Sequence, residues 1–147
     1  MKAFLKVLLI LTLGALPAWA ALGEYEGSVS LDQQVLRGEM REEVHPGYKI
    51  HQIIASDNSV VREYVSSDGK VFAISWRTHT LPNMQQLLGS YFPLVQQAAQ
   101  ARVASGGPFV VRTNDLVYFS GGRMMNFYGS AYLPALLPKN LTPGVVR

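Results

Sequence analysis

The dipeptide Asp68-Gly69, placed between two β-rich runs, is the feature that most restricts how this chain can fold. Two residues that tolerate positive φ between strand-forming runs are typical of a tight β-hairpin with a type I′ turn. A third β-rich run lies before them, across the polar pair Asp57-Asn58. The predicted strands are residues 48–54, 60–66 and 70–76. The sequence therefore predicts an antiparallel three-stranded meander.

Turn geometry predicts which residues face each other in this meander. Closing the second turn around Asp68-Gly69 places Glu63 opposite Ile74, and centring the first turn on Asp57-Asn58 places Gln52 opposite Glu63. One face of the sheet is then mostly apolar. Its predicted members are Tyr48, Ile50, Ile54, Val61, Val65, Phe72, Ile74 and Trp76. The other face is mixed and carries His51.

Glu63 and Gln52 are polar residues on the predicted apolar face, and this makes them candidate site residues. Because an isolated buried carboxylate costs free energy, we expect Glu63 to be paired with Gln52, protonated, or placed at the solvated margin of the sheet. The alternative is a functional carboxylate in a pocket. In that case, Glu63 would act with His51 or His79 in an envelope hydrolase.

The second half of the chain predicts a helix and another meander. Apolar residues recur at three- and four-residue steps over residues 84–102, with Asn83 suited to cap the helix and Pro93 predicting a kink or break after Gly89. Strands are predicted at residues 109–113, 116–120 and 123–128, with turns at Asn114-Asp115 and Gly121-Gly122. Both faces of this meander are apolar, which predicts strands that are covered on both sides or that contact a partner. An oligomer is one alternative.

The first twenty residues have the pattern of a secretory signal peptide. Lys2 and Lys6 give the leader a positive start, and an apolar stretch follows at residues 7–16. Pro17 ends this stretch, and Ala18-Trp19-Ala20 fits a cleavage site. The apolar run is shorter than the ~20 residues that a membrane span needs. We therefore expect export with cleavage before Ala21, a periplasmic or secreted location, and no membrane span in the mature chain.

Residues 31–44 carry a weaker helical pattern, in which Asp32 or Ser30 could cap a short N-terminal helix. The predicted organisation is a signal peptide at residues 1–20, a lead-in with this helix at 21–47, a core at 48–130 and an irregular strap at 131–147. The predicted fold class is α+β, with antiparallel meanders packed on a central kinked helix.

Composition and charge exclude several kinds of function. The 147 residues include thirteen Lys/Arg, ten Asp/Glu and no cysteine. Without Lys2 and Lys6, eleven basic residues face ten acidic ones, a balance too close to neutral for nucleic-acid binding. The sequence also lacks zinc-type histidine spacing, a phosphate loop and a nucleophile elbow. No metal, cofactor or catalytic residue is therefore predicted.

Charge is unevenly distributed along the chain. Residues 102–147 hold five basic residues and one acidic residue. This basic third suits an anionic envelope polymer or an acidic partner protein, with Arg112, Arg123 and Tyr128 as candidate binding residues. A solvated basic face without a partner is the alternative.

Short motifs in a fixed order give the chain a resemblance to a known family. They are VREYV at residues 61–65, GKVFAISW at 69–76, LLGSYF at 87–92 and GSAYLPALLP at 129–138. The chain resembles exported proteins of Gram-negative bacteria that are catalogued as domain of unknown function 2844. The resemblance implies a secreted or periplasmic protein and supplies no substrate, cofactor or catalytic residue. We therefore expect a non-enzymatic binding or accessory protein of the cell envelope.

Overall fold

The computed structural model describes residues 22–103 and 106–147. The predicted leader and its cleavage site lie outside the described residues. The strands are β1 Glu39–His45, β2 Tyr48–Ile54, β3 Val60–Ser66, β4 Val71–Thr78, β5 Phe109–Arg112, β6 Val117–Arg123 and β7 Asn126–Tyr132. The α-helices are α1 Val29–Leu36, α2 Met84–Leu88 and α3 Phe92–Ala101. The predicted α+β class is therefore confirmed.

All these strands belong to one antiparallel sheet with the order β1-β2-β3-β4-β7-β6-β5. Two meanders, β1–β4 and β5–β7, meet where β4 pairs with β7. Between them the chain runs through α2, a 3₁₀ turn at Gly89–Tyr91 and α3, and then enters the sheet at its far edge. Within the described residues, no helix has the length and apolar character required to cross a membrane.

The sheet has two differently covered faces. We name the side packed against α1, α2 and α3 the helix face, and the opposite side the tail face, because residues 136–147 cross it. The buried sheet residues of the helix face are Ile53, Val61, Val65, Val71, Ile74, Trp76, Val111, Tyr118 and Ala131. The buried cluster on the tail face is Ile50, Tyr64, Phe72 and Ala73, with Leu136, Leu137, Leu141 and Val146 of the tail packed against it.

The predicted register between β2 and β3 is wrong by one residue. Gln52 lies opposite Arg62, and His51 is the residue opposite Glu63. The turn has three central residues rather than two: Asn58 N–H donates to Ala55, Ala55 N–H donates to Ser59 at 2.9 Å, and Asn58 adopts φ 62°. A type I turn followed by a left-handed residue is the usual three-residue hairpin loop. The extra residue shifts every partner and places Ile50 on the tail face.

The hairpin between β3 and β4 uses the same loop, yet most of its predicted register is confirmed. Its turn is not the predicted type I′, because only Gly69 of the pair Asp68-Gly69 has positive φ, 75°. Val65 accordingly pairs with Val71 rather than with Phe72. A β-bulge then restores the predicted pairing, so that Glu63 faces Ile74. Bulges add one residue to one strand, and here that residue cancels the shift made by the loop.

Two further predictions are corrected. The N-terminal helix ends at Leu36 rather than continuing to residue 44, and β1 occupies Glu39–His45 as an edge strand of the sheet. The last hairpin turns at Met124-Met125, with φ 65° at Met125, whereas Gly121 and Gly122 lie within β6. Local turn composition misplaced this hairpin because its left-handed residue is a methionine, which seldom adopts positive φ.

Candidate functional site

Two buried carboxyl groups meet beneath the helices. Asp32 on α1 and Glu63 on β3 are each 1% exposed. The side-chain amide of Gln86 on α2 donates a hydrogen bond to Asp32 Oδ1. Asn83 holds this helix start in place, since its side chain accepts from the Gln86 backbone N–H at 3.2 Å. Three elements of the helix face therefore converge on one acidic pair.

Proton sharing is what makes this pair compatible with burial. In the described part of the chain, no donor hydrogen bonds to either oxygen of an ionised Glu63. Burial raises the pKa of Glu63 well above its usual range, and the neighbouring Asp32 raises it further. Burial also raises the pKa of Asp32 to about 6, while hydrogen bonds from Glu63 and Gln86 act in the opposite direction. A protonated Glu63 that donates to Asp32 satisfies both groups.

The partner of Glu63 is thus Asp32, which the sequence suggests only as a helix cap. Asp32 does not cap α1: the helix begins after Ser28, and Asp32 points inward from its first turn. The available signal was its spacing, three residues after buried Val29 and four before Leu36, which places it on the inner side of the helix. Gln52, the predicted partner, lies on the tail face and accepts a hydrogen bond from Arg62 instead.

His51 lies in an ion-pair network next to this carboxyl pair. Its Nε2 is 2.7 Å from Glu26 Oε1, and its Nδ1 is 3.7 Å from Glu42 Oε2. Glu26, Glu42 and His51 place one ligand atom each within 4.8 Å of one another, which is a spacing that a metal ion can use. Lys49 Nζ, however, is already 2.7 Å from Glu26 Oε1. Its ammonium lowers the pKa of Glu26 and supplies the positive charge that the two carboxylates need.

The geometry gives the hydrolase alternative no support. His51 is the cross-strand neighbour of Glu63, but the described structure contains no hydrogen bond between them. His79 lies at the end of β4 beside the Ala55–Ser59 loop, with its Nδ1 3.5 Å from Asp57 Oδ2. A hydrolytic carboxylate must reach substrate. Glu63 is enclosed behind α1 and α2.

An open cleft of about 650 Å³ lies on the tail face instead. Its lining includes Arg62, Arg77 and Arg147 together with two half-buried aromatic residues, Phe119 and Tyr128. We name it the arginine cleft. None of the described residues that line it is acidic. The sheet register explains this grouping, because Arg77 is directly paired with Tyr128 across the β4–β7 contact.

Two of the three arginines are fixed in position by the surrounding structure. Arg62 Nε donates to Gln52 Oε1 at 2.9 Å, and Arg147 Nε donates to the carbonyl of Gly144 at 3.0 Å. Arg77 is exposed at the rim. Within the described residues, no carboxylate forms an ion pair with any of the three. Arg62 Nη1 also donates to the carbonyl oxygen of Arg147 at 3.4 Å, so the Arg62 guanidinium is partly engaged by the tail. The cleft is therefore basic, and Arg77 at its rim is open to solvent.

The tail forms one wall of the cleft through hydrogen bonds to the sheet. The backbone carbonyl of Arg147 accepts from Ser75 Oγ at 2.7 Å and from the Tyr64 hydroxyl at 3.0 Å. The same hydroxyl accepts from the Arg147 N–H at 3.0 Å. Because Tyr64 is buried beneath the tail, this clasp fixes the wall against the sheet.

The candidate binding residues of the C-terminal meander are not brought together. Tyr128 lines the arginine cleft. Arg112 is exposed on β5 and lines a separate depression beside α3. Arg123 is exposed at the end of β6, next to the protruding Met124-Met125 turn. Sequence reasoning missed Arg62, Arg77 and Arg147, since nothing local distinguishes them from other surface arginines.

Comparison with known proteins identifies the family and nothing further. Residues 18–146 match the family model described as "Protein of unknown function (DUF2844)", which confirms the resemblance given by the short motifs. Searches of curated proteins and of solved structures found no match to the chain. The chemistry of the arginine cleft must therefore be judged from its own residues.

Proposed function

The chain belongs to the DUF2844 family, and we propose that it is an exported, non-enzymatic binding protein of the cell envelope. The arginine cleft is its proposed ligand site. One observation carries this proposal: three arginines, none of which forms an ion pair with an Asp or Glu within the described residues, share one open cleft with two half-buried aromatic rings. Such a combination supplies binding energy from ring contacts and selectivity for negative charge from guanidinium groups.

Export is supported by the leader pattern of residues 1–20. We propose a periplasmic or secreted location on this basis. Fractionation of cells that produce the full chain, followed by N-terminal sequencing of the product, tests it. A mature protein beginning at Ala21 in the periplasm or medium is expected, and a cytoplasmic protein that retains residues 1–20 would contradict it.

An anionic partner is supported by the sign of the charge in the cleft. Arg62 and Arg147 are already oriented by hydrogen bonds, so little side-chain freedom is lost when a ligand binds. The ligand is proposed to be either an envelope polymer or an acidic envelope protein. An oligomer remains a separate prediction, which light scattering over a range of protein concentrations tests.

Co-sedimentation with insoluble envelope material tests the binding function. The purified protein should sediment with this material, and Arg77→Gln should reduce the bound fraction several-fold. Arg123→Gln is the matched control, because it removes the same charge from an exposed position outside the cleft. Protease treatment of the envelope material distinguishes a protein partner from a polymer. Equal losses for both variants, or no sedimentation of the wild type, would refute the proposed site.

A further inference from the structure

Two aromatic rings form one side of the arginine cleft, and we call this pair the aromatic platform. A Cβ built on Gly121 would lie 2.9 Å from the hydroxyl of Tyr128 and 3.0 Å from its Cζ. The tyrosine ring therefore lies against the backbone of β6, in space that only a glycine leaves open. Its ring centroid is 6.1 Å from that of Phe119, with an angle of 39° between the planes. Two adjacent rings on a sheet thus border the cleft.

Sugars bind to surfaces of this kind. A pyranose ring has an apolar face of C–H groups that stacks on an aromatic ring, and its equatorial substituents extend sideways from that stack. Arginine side chains at the side of the platform can then form paired hydrogen bonds with carboxylate or phosphate groups. Arg77 is directly paired with Tyr128 in the sheet, and both residues line the cleft.

The volume of the arginine cleft favours an extended ligand over a folded protein partner. A volume of about 650 Å³ is in the range of small-ligand clefts, which is ~300–1,000 Å³. A folded protein partner needs a contact of roughly 800 Å² on each side, whereas the cleft occupies only part of the tail face. Single-stranded nucleic acid also stacks on aromatic rings, but proteins that bind it carry a strong positive excess. Outside the predicted leader, eleven basic residues here face ten acidic ones.

We propose that the arginine cleft binds an anionic glycan, a chain of sugar rings that carries carboxylate or phosphate groups. This inference rests on the proposed binding function and names its ligand class. The sugar rings stack on Tyr128 and Phe119, while Arg62, Arg77 and Arg147 contact the negative groups. Carboxylate and phosphate share this chemistry, and the experiment below separates them.

Calorimetric titration of the full-length purified protein with defined polymers tests the proposal. The two positive arms are oligogalacturonate and dextran phosphate. Three polymers are the controls. Neutral dextran lacks charge, polyglutamate lacks sugar, and oligothymidylate lacks a glycan backbone. At least one positive arm should bind with saturation and weaken as salt is added, and each control should bind at least about tenfold more weakly. The positive arm that binds identifies the charged group.

Variants separate stacking from charge. Tyr128→Ala should weaken binding about tenfold, which is the size of one lost aromatic stacking contact, whereas Tyr128→Phe should keep most of the affinity because the ring remains. Arg77→Gln should weaken binding and reduce its dependence on salt. Arg123→Gln should change neither property. Circular dichroism spectra and melting temperatures of all four variants establish that each one is folded.

Three other results would contradict one or both of the proposals. If polyglutamate or oligothymidylate binds as tightly as either charged glycan, the glycan class is wrong. If neither charged glycan binds while envelope co-sedimentation still depends on Arg77, the glycan class is wrong and the proposed binding function stands. If Arg77→Gln alters neither titration nor co-sedimentation, both proposals fail.

Discussion

The two faces of the sheet handle charge in opposite ways. On the helix face, Asp32 and Glu63 are buried together behind α1 and α2, and burial raises the pKa of both carboxyl groups. On the tail face, Arg62, Arg77 and Arg147 line an open cleft and lack acidic partners within the described structure. The acidic residues are thus enclosed by the fold, whereas the arginines of the cleft face solvent. The first group is suited to a structural role, and the second is the group to which we assign the proposed binding function.

The largest expected effect comes from adding a methyl group where β4 and β7 are in contact. Gly129 on β7 lies in the β4–β7 contact, where a Cβ would overlap the indole of Trp76 and the carbonyl of Phe119. We expect Gly129→Ala to lower the free energy of unfolding by about 3 kcal/mol. Urea unfolding measures this. Gly27→Ala is the control, because nothing lies within 4 Å of its added Cβ. An equal loss for Gly27→Ala would show that the overlap at Gly129 is not the cause, and no loss for Gly129→Ala would show that the contact has spare room.

The next effect concerns the acid pair and depends on pH. Since folding raises the pKa of Glu63 above its unfolded value, the native state binds more protons than the unfolded state. The stability contributed by this proton is complete below the unfolded pKa and is lost as pH rises toward the folded pKa. We therefore expect the unfolding free energy to fall as the pH rises above the unfolded pKa of Glu63, by up to about 1.4 kcal/mol per pH unit.

Glu63→Gln tests the source of this pH dependence. The amide stays neutral and can still donate to Asp32, so the slope above pH 6 should become nearly flat while the fold persists. Glu39→Gln, at an exposed position on β1, should keep the wild-type slope. Urea unfolding at pH 5, 6, 7 and 8 provides the comparison. A Glu63→Gln slope equal to that of the wild type would show that Glu63 does not hold the proton.

A smaller loss is expected where the helices close over the acid pair. The side chain of Asn83 caps α2 through the N–H of Gln86, whose amide in turn contacts Asp32. We expect Asn83→Ala to cost about 1 kcal/mol of unfolding free energy. Asn140→Ala, at an exposed position on the tail, should cost almost nothing. Equal melting temperatures for the two variants would exclude a role for the cap.

The smallest effect on stability is expected on the open face. Arg77→Gln should change the unfolding free energy by less than about 0.5 kcal/mol, because Arg77 is exposed and its removal leaves no buried group without a partner. Thermal unfolding at low and high salt checks this. A larger loss would mean that Arg77 belongs to the packing of the fold rather than to a ligand site.

The two hairpins show how far the sequence could predict this fold. Strand positions in the first meander followed from β-rich runs and turn residues, and these were mostly correct. Both loops, however, contain one residue more than predicted, and each has its left-handed residue at Asn58 or Gly69. Only in the second hairpin does a β-bulge cancel the shift in register that the extra loop residue causes. Nothing in the local sequence marks that difference, so the register of Gln52 could not be predicted.

The candidate site was less predictable than the fold. Glu63 was singled out correctly as a carboxylate needing a partner, but its partner, Asp32, is 31 positions earlier in the chain and comes close only when α1 packs on the sheet. The cleft arginines come from β3, β4 and the tail. Their proximity depends on the strand order, and strand order depends on packing between elements distant in sequence.

The pairing of β4 with β7 also has a consequence for how the protein folds. Ala73 on β4 pairs with Tyr132 on β7, and every residue of β5, β6 and both helices of the crossing lies between them. Contacts between such distant segments form slowly, because a long loop must close first. The first meander is therefore synthesised with an unfilled edge, and the nascent chain cannot complete its core until almost all of it has been translated.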